Sequence, residues 1–334
     1  MRIIVPMAGA GKRLRPHTLT VPKPLLPVAG KPIVQRLVED ITAVCGQKVE
    51  EIAFVTGRFG EAAEKNLIEV AEKLGAKGSI YYQDEPLGTA HAVLCAADAL
   101  KGNVIVAFAD TLFRADFTLD NSKDGIIWVQ QVANPSAFGV IKTDNTGIIT
   151  DFIEKPKEFV SDLAIIGIYY FKSGENLRAE LQHLIDNNIK GNNEFQLTDA
   201  LQNMRKKGIQ FAPGQVKDWL DCGNKQATVD ANKKMLEYIK HEKLVDASAT
   251  LENSVVIAPS FIGKNVKLVN SVVGPHASIG ENCVIAGSIV SNSIVQTNAT
   301  IKNANITGSM IGNYAVCEAT GADLSIGDYT TMTI

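Results

Sequence analysis

Basic residues are not in excess, and that absence removes a large class of partners. Of 334 residues, 33 are Lys or Arg and 36 are Asp or Glu, a formal net charge of −3. Without a basic excess or a basic run, nucleic acids and charged membrane surfaces are not expected partners. Long apolar runs are also missing: no stretch approaches the ~20 residues that span a bilayer. Five cysteines occur (Cys45, Cys95, Cys222, Cys283 and Cys317), scattered and with no Cys-x-x-Cys pair. An odd, dispersed set reads as free thiols in a reducing compartment rather than as a disulfide framework. The chain enters a strand by residue 3, leaving no room for a signal peptide. A cytoplasmic protein is the expectation. Apart from His91, no histidine stands in a motif, which argues against histidine-based nucleophilic catalysis, and His91 itself reads as a helix-face residue.

What the chain does contain is concentrated in its first 32 residues, MRIIVPMAGAGKRLRPHTLTVPKPLLPVAGKP. Arg2 to Met7 is an apolar, β-branched run suited to a buried strand. It breaks into Ala8-Gly9-Ala10-Gly11, where small residues let backbone N–H groups turn toward a ligand. Lys12, Arg13 and Arg15 follow directly, and Lys23 returns between Pro22 and Pro24. A glycine loop leaving a strand with cations on both flanks suits a triphosphate. The Walker loop and the three-glycine dinucleotide fingerprint both require spacings that are absent here.

Length and an apolar content of 46% allow about two domains with a substantial core. In the first half, strands expected at Arg2–Met7, Ile52–Thr56, Ile80–Gln83 and Asn103–Ala109 alternate with helices at Ile33–Val44, Glu61–Leu74 and Gly88–Leu100. The run NVIVAFA reads as a strand buried on both faces. This alternation predicts an α/β fold, a Rossmann-like doubly wound, mostly parallel sheet that binds ligands beyond the carboxyl ends of its strands. The glycine loop, Gln83 and Asp110 all stand at such ends. From Gly125, shorter strands at Ile126–Val132, Phe138–Lys142, Ile148–Glu154 and Ala164–Phe171 predict an α+β extension. Helices follow at Asn176–Asn187, Leu197–Lys206 and Gln226–Lys243, the last as a connector. The expected catalytic domain is therefore 1–243.

Residues 244–334 differ in character. Ile-Gly pairs recur at Ile262-Gly263, Ile279-Gly280, Ile311-Gly312 and Ile326-Gly327. Apolar residues recur six apart in Val256, Ile262 and Leu268, in Ile279 and Ile285, and in Val295 and Ile301. This pattern resembles the hexapeptide repeat of left-handed parallel β-helices. Val273 and Ile306 fall out of step with a strict six-residue count. Because the repeats end without a polar cap, a homo-oligomer or packing of the tail on its own catalytic domain is expected.

Taken in order, Gly9-x-Gly11-x-Arg13-Leu14-x-Pro16, Lys23-Pro24-Leu25-Leu26-Pro27-Val28 and Lys31-Pro32 resemble the signature of sugar-1-phosphate nucleotidyltransferases. Gln83…Pro86-Leu87-Gly88-Thr89-Ala90, Ala109-Asp110, Phe138-Gly139-Val140, Glu154-Lys155-Pro156 and Trp219-Leu220-Asp221 continue it across residues 1–240. Within that family the chain is most similar to the glucose-1-phosphate thymidylyl- and uridylyltransferases. Lys12 is a departure, since many members carry Thr there.

The resemblance implies a nucleoside triphosphate and a sugar 1-phosphate as substrates, and Mg²⁺ as cofactor. Such chemistry needs little covalent help from the protein; positioning and charge neutralisation supply it. Ala8, Gly9 and Gly11 would then cradle the phosphates, Arg13 would contact the β- and γ-phosphates, and Lys23 the α-phosphate. Asp110 follows the most apolar strand, where a carboxylate without a partner is unfavourable and a hydrated cation relieves it. Its counterpart is Asp218 or Asp221 by spacing; the resemblance favours Asp221 as the second metal carboxylate. Lys155 would bind the attacking phosphate as a point charge, and Glu154, Gly139 and Gly167 would meet the hexose. Gln83 carries the donor and acceptor needed for the imide edge of thymine or uracil, with Gly88 letting the backbone approach it. A mannose-1-phosphate guanylyltransferase is the nearest alternative, weakened by Ile165-Ile166-Gly167 where those relatives usually show Asn-Ala-Gly. A bifunctional acetyltransferase is disfavoured by the short repeat region. A non-catalytic nucleotide-sugar-binding subunit is disfavoured because Arg13, Lys23, Asp110, Lys155 and Asp221 are all present.

Overall fold

A computed structural model of the chain describes residues 1–115, 119–320, 325–326 and 330–331. It divides into two compact units, Met1–Pro27 with Lys31–Ala231, and Val28–Gly30 with Asn232–Ile334.

The first unit begins with β1 (Arg2–Pro6), whose Ile3, Ile4 and Val5 are fully buried. A minimal hairpin, β2 (Pro27–Val28) and β3 (Lys31–Pro32), precedes α1 (Ile33–Val44). On α1 the apolar residues Ile33, Leu37 and Ile41 repeat at helical spacing and are buried, each such burial stabilising by about 1.5–3 kcal/mol. Then come β4 (Glu51–Thr56), α2 (Glu61–Lys73), β5 (Lys77–Tyr82), α3 (Thr89–Leu94) and β6 (Val104–Ala107). β6, β1, β4 and β5 lie in that order and are all parallel. Every residue of β6 is buried, as a strand covered on both faces should be.

The remaining strands form the expected α+β extension and add antiparallel pairs to the parallel core. After β7 (Thr111–Arg114) come β8 (Gly125–Gln131), β9 (Gly139–Thr143), β10 (Ile149–Glu154) and β11 (Leu163–Phe171). β11 runs antiparallel to β6, β8 and β9, and β10 pairs antiparallel with β9. Helices α4 (Gly174–Asp186) and α5 (Leu197–Lys206) follow, then β12 (Phe211–Gln215), β13 (Asp218–Asp221) and α6 (Lys225–Tyr238).

Several expectations need correction. The helix expected over Gly88–Leu100 is a six-residue α3, followed by a 3₁₀ turn at Ala97–Ala99. Alanine's high propensity is overruled where Ala96 leaves the helical region, at φ −95° and ψ 35°, to turn the chain toward β6. α6 ends at Tyr238 rather than Lys243. Three strands were not legible. β12 is disguised by Pro213 and Gly214, which it tolerates because it lies at an edge and pairs only with β8. β7 and β13 are four residues each and pair only with one another.

In the second unit, short strands stack in three parallel sheets, consistent with a left-handed parallel β-helix. One wall runs through Thr250–Glu252, Lys267–Val269, Val284–Ala286, Thr300–Lys302 and Val316–Glu318. Its register advances by 17 residues for two coils and by 16 for the next two, not by the 18 that three hexapeptides would give. This is why Val273 and Ile306 are out of step: the wall that holds them follows after five residues, and both point into the core with Leu268, Ile285 and Ile301. The corners are turned largely by Asn in the left-handed region, which Asn adopts more readily than most residues; Asn265, Asn282 and Asn298 have φ of 56°, 60° and 60°. Serines at one corner satisfy the next coil's backbone: the amides of Ser271, Ser288 and Ala304 donate to the hydroxyls of Ser254, Ser271 and Ser288 at 3.0–3.1 Å. Gly327 lies outside the described residues, so the Ile326-Gly327 pair has no assignment here. All five cysteines are free thiols, and among the described residues no helix is long and apolar enough to cross a membrane.

The five-residue wall has a direct test. Val273→Ala should destabilise the chain by about 2 kcal/mol in urea unfolding, whereas Ile289→Ala, at a position 48% exposed, should change it by less than about 0.5 kcal/mol. Equal losses at the two positions would reject this register.

Candidate active site

A cleft of about 420 Å³ opens beyond the carboxyl ends of β1, β5 and β6. Ala8, Gly9, Gly11, Arg13, Lys23, Gln83, Gly88 and Asp110 all line it, as does Lys12. A Cβ built on Gly9 would meet nothing within 4 Å, so a side chain there would project into open space. The loop behind it is rigid: the Gly11 carbonyl accepts the Leu14 amide at 2.9 Å and the Thr18 hydroxyl at 2.8 Å.

Charge is organised beside the glycine loop, where a Cβ on Gly11 would lie 3.0 Å from Lys23 Cβ. Lys23, in a 3₁₀ turn between its two prolines, is only 9% exposed. Its ammonium donates to Asp110 Oδ2 at 3.0 Å, so the buried cation and the strand-end carboxylate satisfy each other. Asp221 is brought to the same place by the antiparallel pairing of β13 with β7, which sets Asp221 opposite Thr111, and by the Cys222 amide donating to the Asp110 carbonyl at 3.0 Å. Burial raises the Asp221 carboxyl above the ordinary carboxylate range, and the Asp110 charge adds to the rise. Lys23, the Gly223 backbone N–H and Arg13 oppose it. Asp218 sits at the far end of β13, opposite Arg114.

Asp110 and Asp221 are the two carboxylates that would face a divalent cation here. Among the described residues no group of three or more His, Cys, Asp or Glu could hold a metal. Two acids from distant segments, meeting beside a cleft rich in cations, fit a hard ion that keeps waters and borrows phosphate oxygens. A closed protein cage is not what they build.

Glu154, Lys155, Gly139 and Gly167 do not line this cleft. Glu154 faces Gly139 across the β9–β10 pair, and its Oε2 accepts from the Thr198 hydroxyl at 3.3 Å. Lys155 is 3.5 Å from Glu154 Oε1, and its backbone takes φ 43° as its amide donates to the Phe138 carbonyl at 3.1 Å. Phe138 in turn packs edge-on against Trp219 of β13, ring centroids 5.0 Å apart. Gly167 occupies a register shift in the β11–β8 pairing at φ 85°, a conformation few side chains tolerate.

Gly88 carries more than sequence reasoning assigned it. Its φ is 123°, and a Cβ would lie 2.5 Å from the Phe195 carbonyl, so close packing of the 194–195 segment already demands glycine. That segment also brings Glu194 to the cleft, which no sequence motif indicated. The second omission is His91: it does lie on the face of α3, but its ring reaches the Gln83 amide at 3.1 Å.

The match to the Nucleotidyl transferase family model covers residues 3–238. A glucose-1-phosphate thymidylyltransferase of Streptomyces griseus is 30% identical over 94% of the chain and 92% of its own length. The catalytic subunit beta of a mannose-1-phosphate guanylyltransferase from Drosophila pseudoobscura pseudoobscura is 29% identical over 85% of the chain and 72% of its own. A UDP-glucose pyrophosphorylase structure complexed with UDP-glucose superposes on 71% of the chain and 98% of its own, with a TM-score of 0.59 and 27% identity.

The Asp221 shift predicts a stability effect with a definite sign. A carboxyl raised by folding stabilises the fold fully below its unfolded value, about 3.9, and loses that contribution as pH rises through its folded value. Asp221→Asn keeps the neutral form at every pH. The variant should therefore melt higher than wild type at pH 7, with the difference closing below about pH 4; thermal melts across this range measure it, and a variant that melts lower at pH 7 contradicts the burial account.

Proposed function

The chain belongs to the nucleotidyl transferase family, and on that premise we propose that it makes a nucleoside diphosphate sugar and pyrophosphate from dTTP or UTP and a sugar 1-phosphate, most simply glucose 1-phosphate. The observation that carries this reading is one cleft in which a glycine loop, three cations and a strand-end carboxylate converge. An oxygen of the sugar phosphate attacks the α-phosphorus in line as the bond to pyrophosphate breaks. Backbone amides of Ala8 to Gly11, with Arg13, hold the departing phosphates, and Lys23 stands where charge builds on the α-phosphoryl group. Lys155 neutralises the attacking phosphate, and Glu154 with Gly139 and Gly167 receives the hexose. Gln83 and Gly88 take the imide edge of the base.

Asp110 and Asp221 would hold Mg²⁺, which when bound supplies charge neutralisation at the phosphates. Lys23 then exchanges its carboxylate partner for phosphate oxygen during turnover, since the same Asp110 serves both. Five free thiols support a cytoplasmic setting. The homo-oligomer expected of an uncapped solenoid belongs to the same reading, and a monomer in light scattering would remove it.

Two measurements test the activity. In a pyrophosphate-release screen of five NTPs against glucose, galactose, mannose and N-acetylglucosamine 1-phosphates, dTTP and UTP should lead, and a clear GTP and mannose preference would establish the guanylyltransferase reading instead. Asp110→Asn and Asp221→Asn should each lower kcat about a thousandfold, roughly 4 kcal/mol. The double variant should be little worse, because both act through one ion, and Asp218→Asn should stay near wild type. Normal turnover in either single variant, with its melt intact, removes the metal site.

A further inference from the structure

Gln83 must present either an acceptor or a donor to whatever enters the cleft, and its surroundings decide which. The Gln83 Nε2 lies 3.2 Å from the Gly88 carbonyl and 3.1 Å from His91 Nδ1. A backbone carbonyl has no other protonation state and can only accept. The amide nitrogen must therefore face Gly88, because the flipped amide would set two carbonyl oxygens against each other. One amide proton is then committed to Gly88, and the second points at His91 Nδ1, which must accept it.

That requirement fixes the histidine as well. With Nδ1 accepting, the ring is neutral and its proton sits on Nε2, 4.0 Å from Cys95 Sγ, a weak acceptor. Partial burial of the ring favours this uncharged form, against the pull of the Glu85 charge. Cys95, which caps the end of α3, lies one turn beyond His91, and the Ala92 amide of the same helix donates to the Gly88 carbonyl at 3.0 Å. The helix thus carries His91, while Gln83 reaches it from the end of β5.

We propose that His91 is a positioning residue for base selection: by taking the second amide proton of Gln83 it leaves Oε1 as the only free function of that side chain, a pure acceptor. An acceptor pairs with the ring N–H of thymine or uracil. Against cytosine, whose corresponding nitrogen carries a lone pair, it is repulsive, and an unpaired polar group in a cleft is where discrimination is largest. The inference rests on the nucleotidyltransferase reading and names how that site chooses its base.

The test compares wild type with His91→Leu, which cannot accept, and His91→Asn, whose amide oxygen can stand near the place of Nδ1. For His91→Leu, the ratio of kcat/KM for UTP over CTP should fall about tenfold, the order expected from losing one hydrogen bond. The change should lie in the KM for the nucleotide, with the KM for the sugar phosphate within twofold of wild type. His91→Asn should recover most of the ratio, which a merely structural role for the ring would not produce. A His91→Leu enzyme that keeps the wild-type UTP to CTP ratio, or a His91→Asn enzyme that fails to recover it, overturns the positioning role while leaving the proposed function standing. A wild-type enzyme that releases pyrophosphate from no NTP, or shows no preference for UTP or dTTP over CTP, overturns the underlying reading. Should His91→Leu fail to fold, the comparison of wild type with His91→Asn and with His91→Lys, a side chain that can only donate, decides the same question: Asn must retain the ratio and Lys must lose it.

Discussion

A lysine that is 9% exposed has to have its charge compensated within the protein, and Lys23 finds its compensation 3.0 Å away on Asp110. The rest of the site is arranged around that pair. Removing one partner from a buried ion pair is far more destabilising than never having formed it, so the loop between Pro22 and Pro24 and the end of β6 constrain each other. Asp110 remains 44% exposed on the side of the cleft, which leaves it accessible to a second positive charge.

The two-stranded pairing of β7 and β13 is what brings a second carboxylate to this ion pair. Those strands stand outside the main sheet and, among the described residues, pair only with each other. Their effect is nonetheless large, since they set Asp221 opposite the residue that follows Asp110 and so join segments more than a hundred positions apart. The raised proton affinity of Asp221 records the mutual repulsion and burial that result. Trp219, on the same short strand, carries the connection on to Phe138 and the strand pair that holds Glu154 and Lys155. The Lys23–Asp110 pair and the Glu154–Lys155 segment are thereby linked through a single four-residue element.

The C-terminal unit illustrates a different economy. A repeat of 17 and then 16 residues still closes three walls, because an inward apolar residue is needed once per wall but not at a constant interval. Left-handed Asn corners and stacked serines absorb the irregularity, satisfying the backbone groups that a shortened wall would otherwise strand. Tolerance of this kind allows a solenoid to drift from its ideal period without losing its core.

What was legible in the sequence was local or strongly patterned. The strand-to-glycine-loop transition, the fully apolar β6 ending in Asp110, and the alternation that predicts an α/β sheet follow from residue type and period alone. The recurrence of apolar residues in the tail likewise pointed to a β-helix, though the six-residue count obscured Val273 and Ile306. Tertiary structure alone decided the rest. Pro213 and Gly214 concealed an edge strand, because permission to use them depends on having one neighbour rather than two. Gly88 read as a ligand-facing glycine, yet the approach of Phe195 demands it as well. His91 gave no sign of its bond to Gln83, since a turn of helix and a strand end meet only after folding. Sequence carries the chemical inventory of each residue; which donor meets which acceptor is set by distances that exist only once the sheet and its short β7–β13 pair have formed.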